Sequence, residues 1–161
     1  MTSSLDIEEL FEEARSELKR ADHLVYVSLK YTRTVDVLRS VIDRLIACYE
    51  NCCNILLVDA KKKGLISEYP NGVGMQIDFL GKLFSYDKEI VDYLNLFTLL
   101  RKLQKADYSR AEEFRRHVRM ISTLDTGEVM EIKIDHVTEY YHKITQLLIL
   151  IRNRVFEKRD D

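Results

Sequence analysis

The chain has 161 residues, of which 46% are hydrophobic and 32% charged, with a formal net charge of -2. That composition supports one domain with a real core and leaves little for a second. One proline, five glycines and no tryptophan speak against a β-sandwich or barrel, which needs frequent turns, and favour long helices. The small net charge excludes a global pull toward nucleic acid or anionic membrane, so a nucleic-acid site has to be a local patch.

Ser3 and Ser4 precede an acidic turn (Asp6, Glu8, Glu9), a pattern that suits a helix start because carboxylates complement the dipole there. Ile7, Leu10, Phe11, Ala14, Leu18, Ala21, Val25 and Ser28 then recur at three- and four-residue steps, predicting a first helix to about residue 31. KYTRT (30–34) supplies a break and a cap. Val35, Leu38, Ile42, Leu45, Cys48, Cys52, Leu56 and Ala60 predict a second long helix, stopped by KKKG at Gly64. LISEYPNGVG (65–74) reads as a loop and Met75–Phe84 as a short helix. Ser85 or Asp87 starts the next helix, whose stripe of Ile90, Leu94, Phe97, Leu100 and Leu103 runs to about residue 105.

Beyond the charged segment 104–116 the period changes. HVRMISTL and EVMEIKI alternate around Asp125-Thr126-Gly127, predicting a β-hairpin over 117–134. Its ribbon has two faces, with Arg119, Glu131 and Lys133 on one and Met120, Met130 and Ile132 on the other. Asp135 is expected to cap a last helix with Val137, Tyr141, Ile144, Leu148, Ile151 and Val155 inward, and EKRDD to fray. The expected fold class is all-α: one domain over 1–161, an antiparallel bundle of four main helices plus a short one, with one hairpin before the last helix. The wide stripes of the first two helices suggest a homodimer.

Cys48, Cys52 and Cys53 crowd one helix without a companion cluster, so core packing in a reducing compartment is the reading rather than a disulfide or metal site. The acidic N-terminal segment has no apolar signal core, and no run approaches the roughly 18 apolar residues a membrane helix needs. A cytoplasmic protein without membrane, metal or cofactor is expected. No P-loop, G-x-G-x-x-G, H-E-x-x-H or G-x-S-x-G occurs. NGVG follows no strand, His136 and His142 fall on different faces of the last helix, and the Glu pairs 8/9, 12/13 and 112/113 diverge around their helices.

One region concentrates chemistry. RKLQKADYSRAEEFRRHVR (101–119) holds eight basic residues, His117 counted, in nineteen positions. Tyr108 and Phe114 add stacking surfaces, a combination suited to single-stranded nucleic acid or nucleotides.

The order of elements resembles the HEPN superfamily of helical bundles, over roughly residues 5–157. Its ribonuclease members, including toxins of nucleotidyltransferase-linked toxin–antitoxin pairs, carry R-x4-6-H at this helix end, some as R-x4-H-x-Y. Arg101-KLQK-Ala106-Asp107-Tyr108 fits the second spacing with alanine in place of histidine. Alanine cannot carry a proton, and metal-free RNA cleavage needs acid–base groups. The resemblance therefore implies a non-catalytic domain that binds RNA, a nucleotide or a partner protein. Arg101, Lys105, Tyr108, Arg110, Arg115, Arg116 and His117 are its expected binding residues. A nucleotidyltransferase-type partner is a further implication. Two alternatives stay open: a metal-independent endoribonuclease using Arg110 and His117, which fit R-x6-H, and a structural adaptor in a toxin-like or defence complex.

Overall fold

The computed structural model describes residues 4–156; Ser3 and the frayed end expected at 157–161 lie outside the described residues. The first helix, α1, runs Ser4–His23, passes through a π-helical turn at Leu24–Ser28 and finishes with Leu29–Tyr31. Helix α2 spans Val35–Lys62, α3 Val73–Leu83, α4 Lys88–Lys105 and α5 Ile134–Val155. Between α4 and α5 lie three strands, β1 Asp107–Ala111, β2 Arg119–Thr123 and β3 Val129–Lys133.

Helix α2 is the hub. It packs on α1, α3, α4, α5 and β2, and fifteen of its residues are buried. Thr34 caps its start by accepting from the Val37 N–H at 3.3 Å. All eight residues of its expected stripe are buried, with Tyr49 stacked on Phe97 of α4 at 4.6 Å between ring centres. The three cysteines are free and buried among these contacts. Burial pushes the Cys53 thiol up to about 12, so it stays protonated.

The π turn corrects the reading of α1. Periodicity placed Ser28 on the inward stripe, yet the buried residue is Leu29. Ala21, Val25 and Leu29 step by four, a longer repeat than the 3.6 residues per turn that would keep them on one face. The wider turn, closed by Leu29 N–H to Leu24 O, absorbs the extra residue and returns Leu29 to the core.

The single hairpin becomes a three-stranded antiparallel sheet in the order β1-β2-β3, so the fold is mostly helical rather than all-α. The segment 107–111, taken as part of a charged connection, pairs with β2 along its whole length. Its side chains are almost all exposed, so it shows none of the alternation that marks a strand. Backbone pairing makes it one: a lone hairpin is marginal in water, and a third strand secures it. The β2–β3 register sets Met120 opposite Ile132 and Ser122 opposite Met130. That face lies on the bundle, and Met120 and Ile132 are fully buried, contributing about 1.5–3 kcal/mol each. Arg119, Glu131 and Lys133 share the opposite face, as the ribbon pattern predicted. The turn closes through Gly127 at φ 91° and a Leu124 N–H bond to Glu128 O.

Two starts also differ. His117 falls in the turn before β2 rather than in the strand. Helix α5 begins at Ile134, directly off β3, so Asp135 sits in its first turn instead of capping it. His136 takes the capping part, its Nδ1 accepting the Lys133 N–H at 2.9 Å. Asp87 does cap α4, accepting from the Ile90 N–H, and reaches Arg154 of α5 at 2.6 Å. No helix among the described residues is long and apolar enough to cross a membrane.

Candidate functional site

The basic stretch does not form one patch. The five-residue strands β1 and β2 carry its two ends apart, by about 16 Å at roughly 3.3 Å per residue. At one end, where α4 gives way to β1, Arg101, Lys102 and Lys105 line a depression of about 270 Å³ with Thr98, Ala106 and Asp125. At the other end, the connection 112–118 carries Phe114, Arg115, Arg116 and His117 into solvent.

Between these ends the remaining arginines are occupied. Arg110 bonds Asp36 of α2 at 2.9 Å, Glu113 at 3.4 Å and the Tyr108 hydroxyl at 3.4 Å. The Asp36 bond leads in raising the Arg110 pKa, against opposition from desolvation. Arg119 pairs with Glu112 across the mouth of the same connection, and its Nε lies 2.8 Å from Glu131. Tyr108, expected to stack on a ligand, has the Arg39 guanidinium 4.2 Å from its ring centre. Arg39 in turn donates to Gln104 O at 3.2 Å. These contacts tie β1 to α2, and Arg110 and Tyr108 belong to that joint.

The connection 112–118 is held in a strained shape. Glu112 and Phe114 adopt φ of 52° and 66°, left-handed conformations that cost a non-glycine residue about 1–2 kcal/mol each. Two bonds to the start of α2 impose that shape. The Phe114 N–H donates to Arg33 O at 2.6 Å, and Glu113 Oε2 accepts the Val35 N–H at 2.9 Å. Glu113 thus meets one of the open donors and the positive end of the α2 dipole. The result displays the Phe114 ring, 76% exposed, beside Arg115, Arg116 and His117. The side chains of those three form no hydrogen bond or close ion pair among the described residues, although the His117 and Arg115 charges help to lower the Glu112 carboxyl, after its bond to Arg119.

The same bonds bring in a segment that sequence reasoning missed. Lys30, Tyr31 and Arg33 sit at the end of α1 and just beyond it, next to the carbonyl that Phe114 grips. Tyr31 is 80% exposed. KYTR was read only as a helix break; its aromatic–cationic composition matches that of FRRH, and that likeness was the available signal. Two such segments, far apart in the chain, form one junction.

Of the seven expected binding residues, Arg115, Arg116 and His117 gather at this junction, Arg101 and Lys105 at the depression, and Tyr108 and Arg110 in the β1–α2 joint. No hydrogen bond or ring contact joins Arg110 to His117, and none joins Arg101 to Tyr108. Ala106, at the family's histidine position, is the cap residue of α4 and lines the depression. Among the described residues no three His, Cys, Asp or Glu side chains are placed to hold a metal ion.

A larger groove of about 720 Å³ runs between α1 and α5, with Phe11, Leu18, Leu148 and Ile149 among its apolar lining and Lys19 and Arg152 among its cations. Beside it, the Tyr141 hydroxyl donates to Asp22 at 2.6 Å. Burial first, and then this bond, push the Tyr141 phenol up to about 12.

Set against known proteins, the chain matches no protein-family model, no curated protein and no solved structure.

Proposed function

We propose that this chain is a non-catalytic, HEPN-like domain that binds single-stranded RNA at the junction of residues 30–33 with 112–118. The observation that carries the reading is the bond from the Phe114 N–H to Arg33 O, which joins the segment of Lys30, Tyr31 and Arg33 to that of Phe114, Arg115, Arg116 and His117, with both aromatic rings exposed. Rings of this kind stack on any base, and exposed cations follow a phosphate backbone without reading sequence. The pinned, left-handed turn supports it further, since strain of this kind persists where surrounding structure enforces it and clusters at ligand sites.

The non-catalytic part rests on two features. Ala106 offers no proton at the position where the family's ribonucleases carry histidine, and Arg110 of the alternative pair is engaged by Asp36, Glu113 and Tyr108. The α1–α5 groove, where Phe11, Leu18, Leu148 and Ile149 lie among Glu12, Arg15, Lys19, Asp22 and Arg152, is the surface offered for the homodimer, and the mass in solution tests that part.

The test is a labelled single-stranded RNA in EDTA, run with wild type, Arg115→Ala/Arg116→Ala, Arg110→Ala and His117→Ala. Intact RNA with salt-sensitive binding, weakened in the double variant, is the expected result. Cleavage abolished by both Arg110→Ala and His117→Ala replaces this reading with an endoribonuclease. Intact, unbound RNA leaves the adaptor.

A further inference from the structure

We infer that the π turn of α1 is a two-position register switch, held by α5, that decides whether Tyr31 or Lys30 is presented at the end of α1. The turn at Leu24–Ser28 carries one residue more than an α turn. Tightening it would rotate everything beyond it by about 100°, one residue's share of a 3.6-residue turn. Ser28 would then stand where Leu29 stands, and Lys30 where Tyr31 stands. The spacing of α1 fits both positions, since Val25 is followed by Ser28 at three residues and by Leu29 at four.

Little separates the two positions in energy. Beyond the turn only Leu29–Tyr31 remain helical. Of these Leu29 alone is buried, while Lys30 and Tyr31 are exposed. The turn itself leaves Tyr26 and Val27 exposed. Ser28 is half-buried already, and a serine turned into the core can bond the carbonyl four residues back. The wider turn is therefore favoured by the burial of one leucine and by one latch. The Tyr26 hydroxyl lies 2.8 Å from Nε2 of His142 on α5. Tyr26 is inside the turn and moves with it, so this contact belongs to the π position. The neighbouring bond does not: Tyr141 donates to Asp22, ahead of the turn, and keeps α1 on α5 in either position. A difference this small leaves the second position populated at the per cent level.

The shift falls on the junction. Beyond Tyr31 the connection 32–34 leads to Thr34, the cap of α2, and it has to take up the one-residue change. Its middle residue is Arg33, whose carbonyl the Phe114 N–H grips. The switch thus exchanges a ring for a lysine at the end of α1 and pulls on the anchor of Phe114. Its meaning for RNA rests on the strand-binding reading; the switch itself does not.

Relaxation-dispersion NMR on the isotope-labelled full chain tests it. Expected is microsecond-to-millisecond exchange confined to residues 24–33 and 112–118, with a minor population on the order of 1%. Ser28→Leu gives the second position an apolar residue and raises that population about tenfold, roughly the effect of one buried side chain. Tyr26→Phe keeps the ring, removes the latch and raises it about fivefold. Tyr141→Phe leaves it unchanged; a rise as large as in Tyr26→Phe would mean general loosening of the α1–α5 seam and overturns the switch. Profiles flat over 24–33 in wild type, Ser28→Leu and Tyr26→Phe make the turn a fixed insertion and overturn it too. Saturating single-stranded RNA is expected to quench the exchange. RNA that binds and leaves the exchange unchanged overturns the link to the junction. Exchange with no RNA binding leaves the switch standing and ends the strand reading, whereas RNA binding over flat profiles does the reverse.

Discussion

The Phe114 N–H donates to the carbonyl of Arg33 at 2.6 Å, and that bond fastens the β1–β2 connection to the break between the two longest helices. It joins the segment that carries Phe114 to the one that carries Tyr31, two residues before Arg33, and both rings are exposed. A rigid backbone under an exposed ring lowers the ordering cost of stacking, which is the usual advantage of a preorganised site.

Phe114→Gly separates this use from folding. Glycine adopts φ 66° freely, removing about 1–2 kcal/mol of strain. Its greater freedom when unfolded returns about 0.5–1 kcal/mol of that. The melting temperature is expected to hold or rise, while affinity for single-stranded RNA falls at least fivefold through the lost ring. A melt and a binding isotherm on the same preparation decide it; a lower melting temperature with unchanged affinity sinks the proposal for this ring.

Glu113→Ala attacks the anchor instead. The Val35 N–H loses its acceptor, and Arg110 keeps only Asp36 as its carboxylate partner. Loss of a capping contact costs about 0.5–2 kcal/mol. RNA affinity should also drop, although Glu113 itself repels phosphate, because the connection is no longer pinned. Tighter binding in this variant would mean that charge outweighs preorganisation here.

Helix content was legible because burial follows side-chain period, and the stripes of α2 and α4 fall as the apolar spacing dictates. The missed features lack such a signal. Strand β1 exposes nearly all its side chains and owes its form to backbone pairing with residues eight to sixteen positions away. The π turn shows only as an excess of four-residue steps from Ala21 to Leu29. The candidate site was half legible. The cations of 101–119 were visible, yet their pairing was not, because Asp36 and Arg39 come from another helix. Tyr31 and Arg33 join through a main-chain bond that no side-chain pattern announces.

Asp87 and Arg154 join the start of α4 to the end of α5, and the pair should show in acid. Desolvation raises the Asp87 carboxyl, but the Arg154 bond, the Ile90 N–H and the Arg154 charge outweigh it, so the carboxyl sits below its ordinary value. A depressed folded pKa gives stability that is whole above the unfolded value and is lost as pH falls through the folded one. Arg154→Met should therefore lie about 1 kcal/mol below wild type at neutral pH. The gap should narrow as pH falls through the carboxylate range. A gap constant into strong acid would show that Arg154 acts by packing alone.

Tyr49 offers a change in the opposite direction. Its ring is stacked on Phe97 in the core, and its hydroxyl is buried with no hydrogen-bond partner among the described residues. Burial first, with the neighbouring thiols adding to it, drives the phenol pKa far above its ordinary value. An unmet buried hydroxyl costs about 1–3 kcal/mol, whereas the stacked ring is worth keeping. Tyr49→Phe retains the ring and removes only the oxygen. It is expected to raise stability by about 1 kcal/mol, measured as a higher urea midpoint at unchanged slope. A lower midpoint would mean that the hydroxyl has a partner in solution, and a buried water beside Cys52 and Cys53 would be the first place to look.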